Sequence, residues 1–208
     1  MVDKYNSMTE LLRHNKENEE WDIEINDNAS PIVITAIHGG AIERGTSELA
    51  QLTSRKGNFS FYTFKGIKKN NNNELHVTSR NFDEPQLQQL VARKKRVLSI
   101  HGCNGTREII YIGGRDNDTK ARLAQAFNNI GIDTAPAPSY MSGIHKDNFV
   151  NQGTTLQGVQ LEITIALRKK LFINHKFNLY DRENEDNWST RMHEIAQACV
   201  EVLDQEER

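Results

Sequence analysis

A chain of 208 residues can bury one hydrophobic core of ordinary size without disulfide staples, and a hydrophobic fraction of 37% with a charged fraction of 26% suits a folded, water-soluble protein. A formal net charge of -2 argues against a protein that coats nucleic acid, because phosphate binding needs clustered Lys and Arg. No run approaches the roughly 18 apolar residues of a membrane span, and Met1-Val2-Asp3-Lys4-Tyr5-Asn6 lacks the apolar segment of a secretion signal. Synthesis in the cytoplasm is therefore expected, with neither nucleic acid nor membrane as partner.

Ser7-Met8-Thr9-Glu10 is a capping-box pattern that opens a short helix carrying Leu11 and Leu12. Trp21, Ile23 and Ile25 alternate with acidic residues, as in a half-exposed edge strand. After a polar turn at 26–31, the unalternating run Ile32-Val33-Ile34 predicts a strand covered on both faces, ending in Thr35-Ala36-Ile37-His38-Gly39-Gly40-Ala41-Ile42-Glu43. A helix follows over 46–55, a strand over 59–64, a polar loop over 66–73 with four consecutive asparagines, and a strand through Leu75 and Val77.

The pattern then predicts a helix over 85–94, strands over 97–100 and 109–112, and a helix over 116–129 stopped by Gly131. The stretch 135–153, with Pro136, Pro138, Gly143 and Gly153, reads as a long irregular loop, which is uncommon unless it serves a site. A central strand at 159–163 and a closing amphipathic helix at 188–203 complete the chain. The alternation of strand and helix predicts an α/β fold: one domain over 1–208, with a central mixed, mostly parallel sheet and helices on both faces.

Two strands, at 32–37 and 97–100, each end by delivering a histidine followed by glycine: His38-Gly39 and His101-Gly102. Ligands gather at the carboxyl ends of strands in open α/β sheets. Hydrolytic zinc takes three protein donors and leaves one position open, and His38, Glu43 and His101 are suitable donors. By spacing alone, a metal site and a pair of hydrogen-bonded turn histidines both remain open. Glu162 interrupts an apolar strand, where a carboxylate needs a partner, a metal or a solvent-facing position; Arg168 is the available counter-ion.

His14, His76, His145, His175 and His193 fall in helices or polar loops without comparable partners, and only His145 is kept in reserve because it lies in the irregular loop. Cys103 and Cys199 read as reduced, packed hydrophobes rather than ligand or nucleophile. The basic run Arg93-Lys94-Lys95-Arg96 reads as a solvated connection.

His38-Gly39-Gly40-Ala41-Ile42-Glu43, Leu98-Ser99-Ile100-His101-Gly102 and Gly158-Val159-Gln160-Leu161-Glu162-Ile163, in that order, resemble the phage-encoded poly-γ-glutamate hydrolases and their bacterial relatives. Thr78-Ser79-Arg80-Asn81-Phe82-Asp83-Glu84-Pro85 and Gly113-Gly114-Arg115-Asp116 extend the likeness over nearly the whole chain. The resemblance implies a zinc-dependent amidase, similar in fold to zinc carboxypeptidases and related amidohydrolases, that cuts γ-amide bonds of a glutamate polymer found in certain bacterial capsules. It implies His38, Glu43 and His101 as zinc ligands and Glu162 as the catalytic carboxylate. Zinc carboxypeptidases place the glutamate three residues after the first histidine, whereas here the offset is five.

A polymer with one carboxylate per unit calls for cations along the groove. Arg115 and Arg80, each in a polar loop after a predicted strand, are the candidates, with Lys65 and Lys68 behind them. A monomer acting outside the cell after host lysis is the corresponding expectation. The competing readings are an N-acyl amino acid amidohydrolase or small-peptide carboxypeptidase acting on a small substrate, and a non-catalytic polyanion-binding module with structural histidines.

Overall fold

The computed structural model describes residues 3–204. In chain order these form α1 (Met8–His14), β1 (Trp21–Asn26), β2 (Ile32–Gly40), α2 (Thr46–Gly57), β3 (Ser60–Gly66), α3 (Pro85–Val91), β4 (Arg96–Cys103) and β5 (Ile109–Gly114). They continue as α4 (Asn117–Asn129), β6 (Asp133–Pro136), β7 (Val159–Thr164), α5 (Ile165–Lys170), α6 (Leu179–Glu183) and α7 (Thr190–Asp204). The strands make a seven-stranded sheet in the order β1-β3-β2-β4-β7-β5-β6. β3, β2, β4 and β7 run parallel to one another, β1 is antiparallel at one edge, and β5 and β6 are reversed together at the other.

Each face carries its own apolar core, so the sheet is covered on both sides as its unalternating strands require. On one face Ile32, Ile34, Leu98, Ile100, Leu161 and Ile163 meet Leu49 of α2, Phe127 of α4 and Met192 and Ile195 of α7. On the other, Val33, Ile37, Tyr62, Phe64 and Val97 meet Met8 and Leu11 of α1 and Leu87 and Leu90 of α3. Ser7 caps α1 as expected, its hydroxyl accepting from the Glu10 amide, but the Glu10 carboxylate accepts from the amide of Asn6, one residue before the Ser7 N–H that would close a capping box.

Four local expectations change. Leu75 and Val77 are buried without forming a strand; Leu75 closes a 3-10 turn, and both side chains fill the second core without sheet pairing. The helix after Pro85 stops at Val91 rather than running to residue 94. The stretch 135–153 begins inside β6 and contains two 3-10 turns, at Ser139–Met141 and Phe149–Asn151. The basic run is not uniformly solvated: Lys94 is 3% exposed, and its ammonium donates to Asp27 at 2.6 Å, to the Ser30 carbonyl and to Ser60.

Arg182 of α6 is fully buried. Its guanidinium donates to Glu48 at 3.0 Å, to the Phe177 carbonyl and to the Gly40 carbonyl at 2.6 Å, so it ties the end of β2 to α2 and to the segment before α7. Arg182→Met removes one partner of a buried ion pair and leaves Glu48 uncompensated. A loss of about 3–5 kcal/mol in unfolding free energy is expected, measured by urea denaturation.

Candidate metal centre and its cavity

The pairing between β2 and β4 stops at Thr35↔Ser99, and past that point the two strands diverge. From β2 the chain crosses to β3 on one side, whereas β7 lies on the other side of β4, so the gap is a topological switch point of the kind at which open α/β sheets form their crevices. His38 and His101 sit just beyond the last paired residues, within the strands rather than after them.

A β-bulge decides where His38 points. Between Ala36 and Gly39 the register with β3 gains one residue on β2. Strict alternation would put His38 on the face of Ile34 and Ala36. Instead its ring stacks on His76 with a centroid separation of 4.0 Å and lies edge-on to Phe82, on the opposite face. The following glycines are needed at this bend: Gly40 has φ +62, and a Cβ on Gly39 would stand 2.2 Å from the Ser47 hydroxyl.

Beyond the bulge the chain folds back, with the Ile42 amide donating to the Gly39 carbonyl and the Glu43 amide to the His38 carbonyl at 2.8 Å. This turn spans the five-residue offset and returns the Glu43 carboxylate over the histidines. Glu43 also accepts from the Gly102 amide at 2.8 Å, which links β2 to β4 across the crevice.

Three donor atoms converge. His38 Nδ1 lies 3.2 Å from Glu43 Oε1 and 3.2 Å from His101 Nδ1, and His101 Nδ1 lies 3.6 Å from Glu43 Oε2. The other ring nitrogens are engaged elsewhere: His38 Nε2 donates to the Val77 carbonyl at 2.9 Å, and His101 Nε2 pairs with the Ser99 hydroxyl at 2.9 Å. Such partners fix the ring and direct the remaining nitrogen to a metal. A tetrahedral ion with bonds of about 2.0–2.1 Å separates its donors by roughly 3.3 Å, so these three atoms fit one with small adjustment.

His76, set aside on sequence grounds, belongs to the same cluster. Its Nδ1 donates to Asp3 at 2.6 Å, its Nε2 lies 4.0 Å from Glu43 Oε1, and His38, Glu43 and His76 also form a group able to hold a metal ion. The longer separation makes His76 the outlying donor. No sequence spacing announces it, because it arrives through the packing of Leu75 and Val77.

Glu162 stands beside His101 as its register partner on β7, and residues two apart along a strand share a face. The side chain is 7% exposed. Burial pushes its carboxyl up to about 7; the Glu43 charge adds to the rise, and His101 and a hydrogen bond from Gln160 oppose it. Burial works against charge on His38, but Glu43 outweighs it and the net shift is upward. Glu43 itself is held well below the usual carboxylate range despite burial, first by His38 and then by His101.

A cavity of about 1050 Å³ opens over this cluster. Its wall includes Arg80 and Arg115, the two arginines expected to meet substrate, together with Lys146 and His145 of the 139–148 stretch. Among the described residues, Arg80, Arg115 and Lys146 have no carboxylate partner, while His145 pairs with Asp147 at 3.3 Å. Lys65 and Lys68 are not in this wall: Lys65 pairs with Glu24 and Glu183, and Lys68 with Glu74.

Arg168 lines the floor but makes no ion pair with Glu162; its guanidinium donates to the carbonyls of Ile163, Arg44 and Cys103. Burial, with Glu162 nearby, pushes the Cys103 thiol up to about 11, which disfavours the nucleophilic thiolate. Burial holds Cys199 at about 12.

A buried carboxylate beside a histidine–glutamate cluster, at the floor of a cleft at the strand ends, is the equipment of a hydrolase. The chain belongs to the poly-gamma-glutamate hydrolase family, whose sequence profile matches residues 5–198.

It is 34% identical over 191 residues to the SPbeta prophage-derived UPF0714 protein YoqZ of Bacillus subtilis (strain 168), covering 89% of this chain and 67% of that one. UPF0714 protein YndL of the same organism is 32% identical over 170 residues, and the match covers 65% of its length. The chain thus spans about two thirds of these relatives. Among solved structures, a bacteriophage poly-gamma-glutamate hydrolase superposes with a TM-score of 0.93 at 27% identity, covering 99% of both chains. The zinc-free apo form of YNDL superposes with a TM-score of 0.91 at 29% identity, covering 100% of both chains.

Proposed function

We propose that this protein is a zinc-dependent hydrolase that cleaves the γ-glutamyl amide bonds of poly-γ-glutamate. The observation that carries the proposal is the convergence of His38 Nδ1, His101 Nδ1 and the Glu43 carboxylate beside Glu162. The family and the existence of a zinc-free form of a relative support the same metal. The phage origin of two relatives supports the capsule polymer as the target and the outside of the cell as the place of action.

Zinc held by His38, Glu43 and His101 would act as a Lewis acid on the scissile carbonyl and make water more acidic. Glu162 takes the proton from the attacking water and returns it to the departing nitrogen, giving a carboxylic acid and an amine. Gln160 holds Glu162 by a 2.7 Å hydrogen bond. Arg80, Arg115 and Lys146 bind the free carboxylates of successive units along the wall.

The test is zinc analysis of the purified protein, followed by a polymer-length assay before chelation, after chelation and after zinc is restored. Shortening should stop on chelation and return with zinc, and long γ-linked polymer should be cut far faster than a short acylated glutamate. Polymer shortened equally well by chelated protein would overturn the reading.

Neutralising the wall should change binding rather than chemistry. Arg80→Gln, Arg115→Gln and Lys146→Gln are each expected to raise KM for polymer about two- to fivefold, as exposed ion pairs do. The increase should shrink at high salt, with kcat within twofold of wild type, as measured by steady-state kinetics at two ionic strengths.

A further inference from the structure

Gln160 lies two residues before Glu162 on β7, on the same face, and is only 4% exposed. A primary amide has two N–H donors and one carbonyl acceptor, and here all are used. Nε2 donates to Glu162 Oε1 at 2.7 Å and to the Met141 carbonyl at 3.2 Å, while Oε1 accepts from Asn148 Nδ2 at 3.1 Å. Glu162 Oε2 has no hydrogen-bond partner among the described residues, so one carboxylate oxygen is pinned and the other is left for water.

The direction of this chain of bonds follows from groups that cannot reverse. The Val150 amide can only donate, and it donates to Asn148 Oδ1 at 3.1 Å. Asn148 must therefore turn its nitrogen to Gln160, and Gln160 its nitrogen to Glu162. The Met141 carbonyl, which can only accept, requires the same orientation.

The stretch 139–148, which supplies Met141 and Asn148, also walls the cavity. It packs directly on the amide: a Cβ on Gly143 would stand 2.6 Å from Gln160 Oε1. Asn151 anchors it further, donating to the Gly143 and His145 carbonyls.

We propose that Gln160 is a positioning residue that aims the Glu162 carboxylate and, through Met141 and Asn148, couples that aim to the cavity wall at 139–148. The inference rests on Glu162 as the proton-transfer group of the proposed function. It places the control of Glu162 in the substrate-facing wall: displacing that wall moves the carboxylate relative to the metal centre.

The experiment is steady-state kinetics on γ-linked polymer, with zinc content and melting temperature, for zinc-loaded wild type, Gln160→Leu, Gln160→Met, Asn148→Ala, Glu162→Gln and the Gln160→Leu/Glu162→Gln double variant. Gln160→Leu and Gln160→Met should lower kcat about 10- to 100-fold, the scale of a misplacement of about 1 Å. KM should stay within about threefold and zinc content should not change. Asn148→Ala, which loosens the same link one residue further out, should lower kcat by a smaller factor. In the Glu162→Gln background, Gln160→Leu should change the residual rate less than twofold, since neighbours acting through one group are not additive.

Should Gln160→Leu fail to fold, Gln160→Met decides, because it keeps the volume and removes the donor. Unchanged kcat in Gln160→Met, or the full Gln160→Leu loss repeated in the double variant, would overturn the inference. Undiminished kcat in Glu162→Gln would instead overturn the proposed role of Glu162 itself.

Discussion

Glu162→Gln is expected to lower kcat about 10²–10⁴-fold, the usual contribution of a positioned proton-transfer group, while zinc binding is retained. Glutamine keeps the shape and the acceptor oxygen facing Gln160 but cannot take a proton from water. The wild-type carboxyl, raised to about 7 in the metal-free protein mainly by burial, accepts a proton only when ionised, so kcat/KM should fall on the acid side as this carboxyl protonates. A bound cation favours the ionised form and moves this acid limb lower. The limb should be absent in Glu162→Gln, and an acid limb that persists unchanged in Glu162→Gln would count against the role.

The same burial has a stability signature. A carboxyl whose folded pKa lies above its unfolded value of 4.5 costs stability as pH rises from that value to about 7, because the folded state must then ionise a buried group. Chelated Glu162→Gln should therefore melt above chelated wild type at pH 8 and match it near pH 4. Scanning calorimetry at the two pH values measures the difference.

The second large effect is expected at the metal. His101→Ala removes one of three converging donors and should weaken zinc binding by more than about 100-fold, beyond the 10–100-fold usual for the loss of an outer partner. His76→Ala, which removes the outlying donor, should cost less than about tenfold. Competition with a chromophoric chelator reads both numbers. A His76→Ala loss equal to that of His101→Ala would move His76 into the ligand set with His38 and Glu43.

Much of the scaffold was legible because it rests on local periodicity. The unalternating run at Ile32 predicted a doubly covered strand, and the residues of β2 are buried throughout. The Ser7 cap of α1 and the helix over 116–129 depend only on neighbours within a turn or two. Leu75 and Val77 misled because alternating apolar residues can fill a core without pairing in a sheet. Lys94 misled because a long cation can be buried when Asp27, Ser30 and Ser60 converge on it from elsewhere in the chain.

By itself, the amino-acid sequence determined the α/β class and brought out the two histidines and Glu162, because strand propensity, glycine bends and an acidic residue in an apolar strand are properties of short segments. Only the tertiary structure decided which atoms face one another. The bulge that turns His38 across the sheet, the register that sets Glu162 beside His101, and the packing that brings in Asp3, His76 and Asn148 depend on contacts between residues distant in sequence. A period of two along a strand carries no record of those contacts.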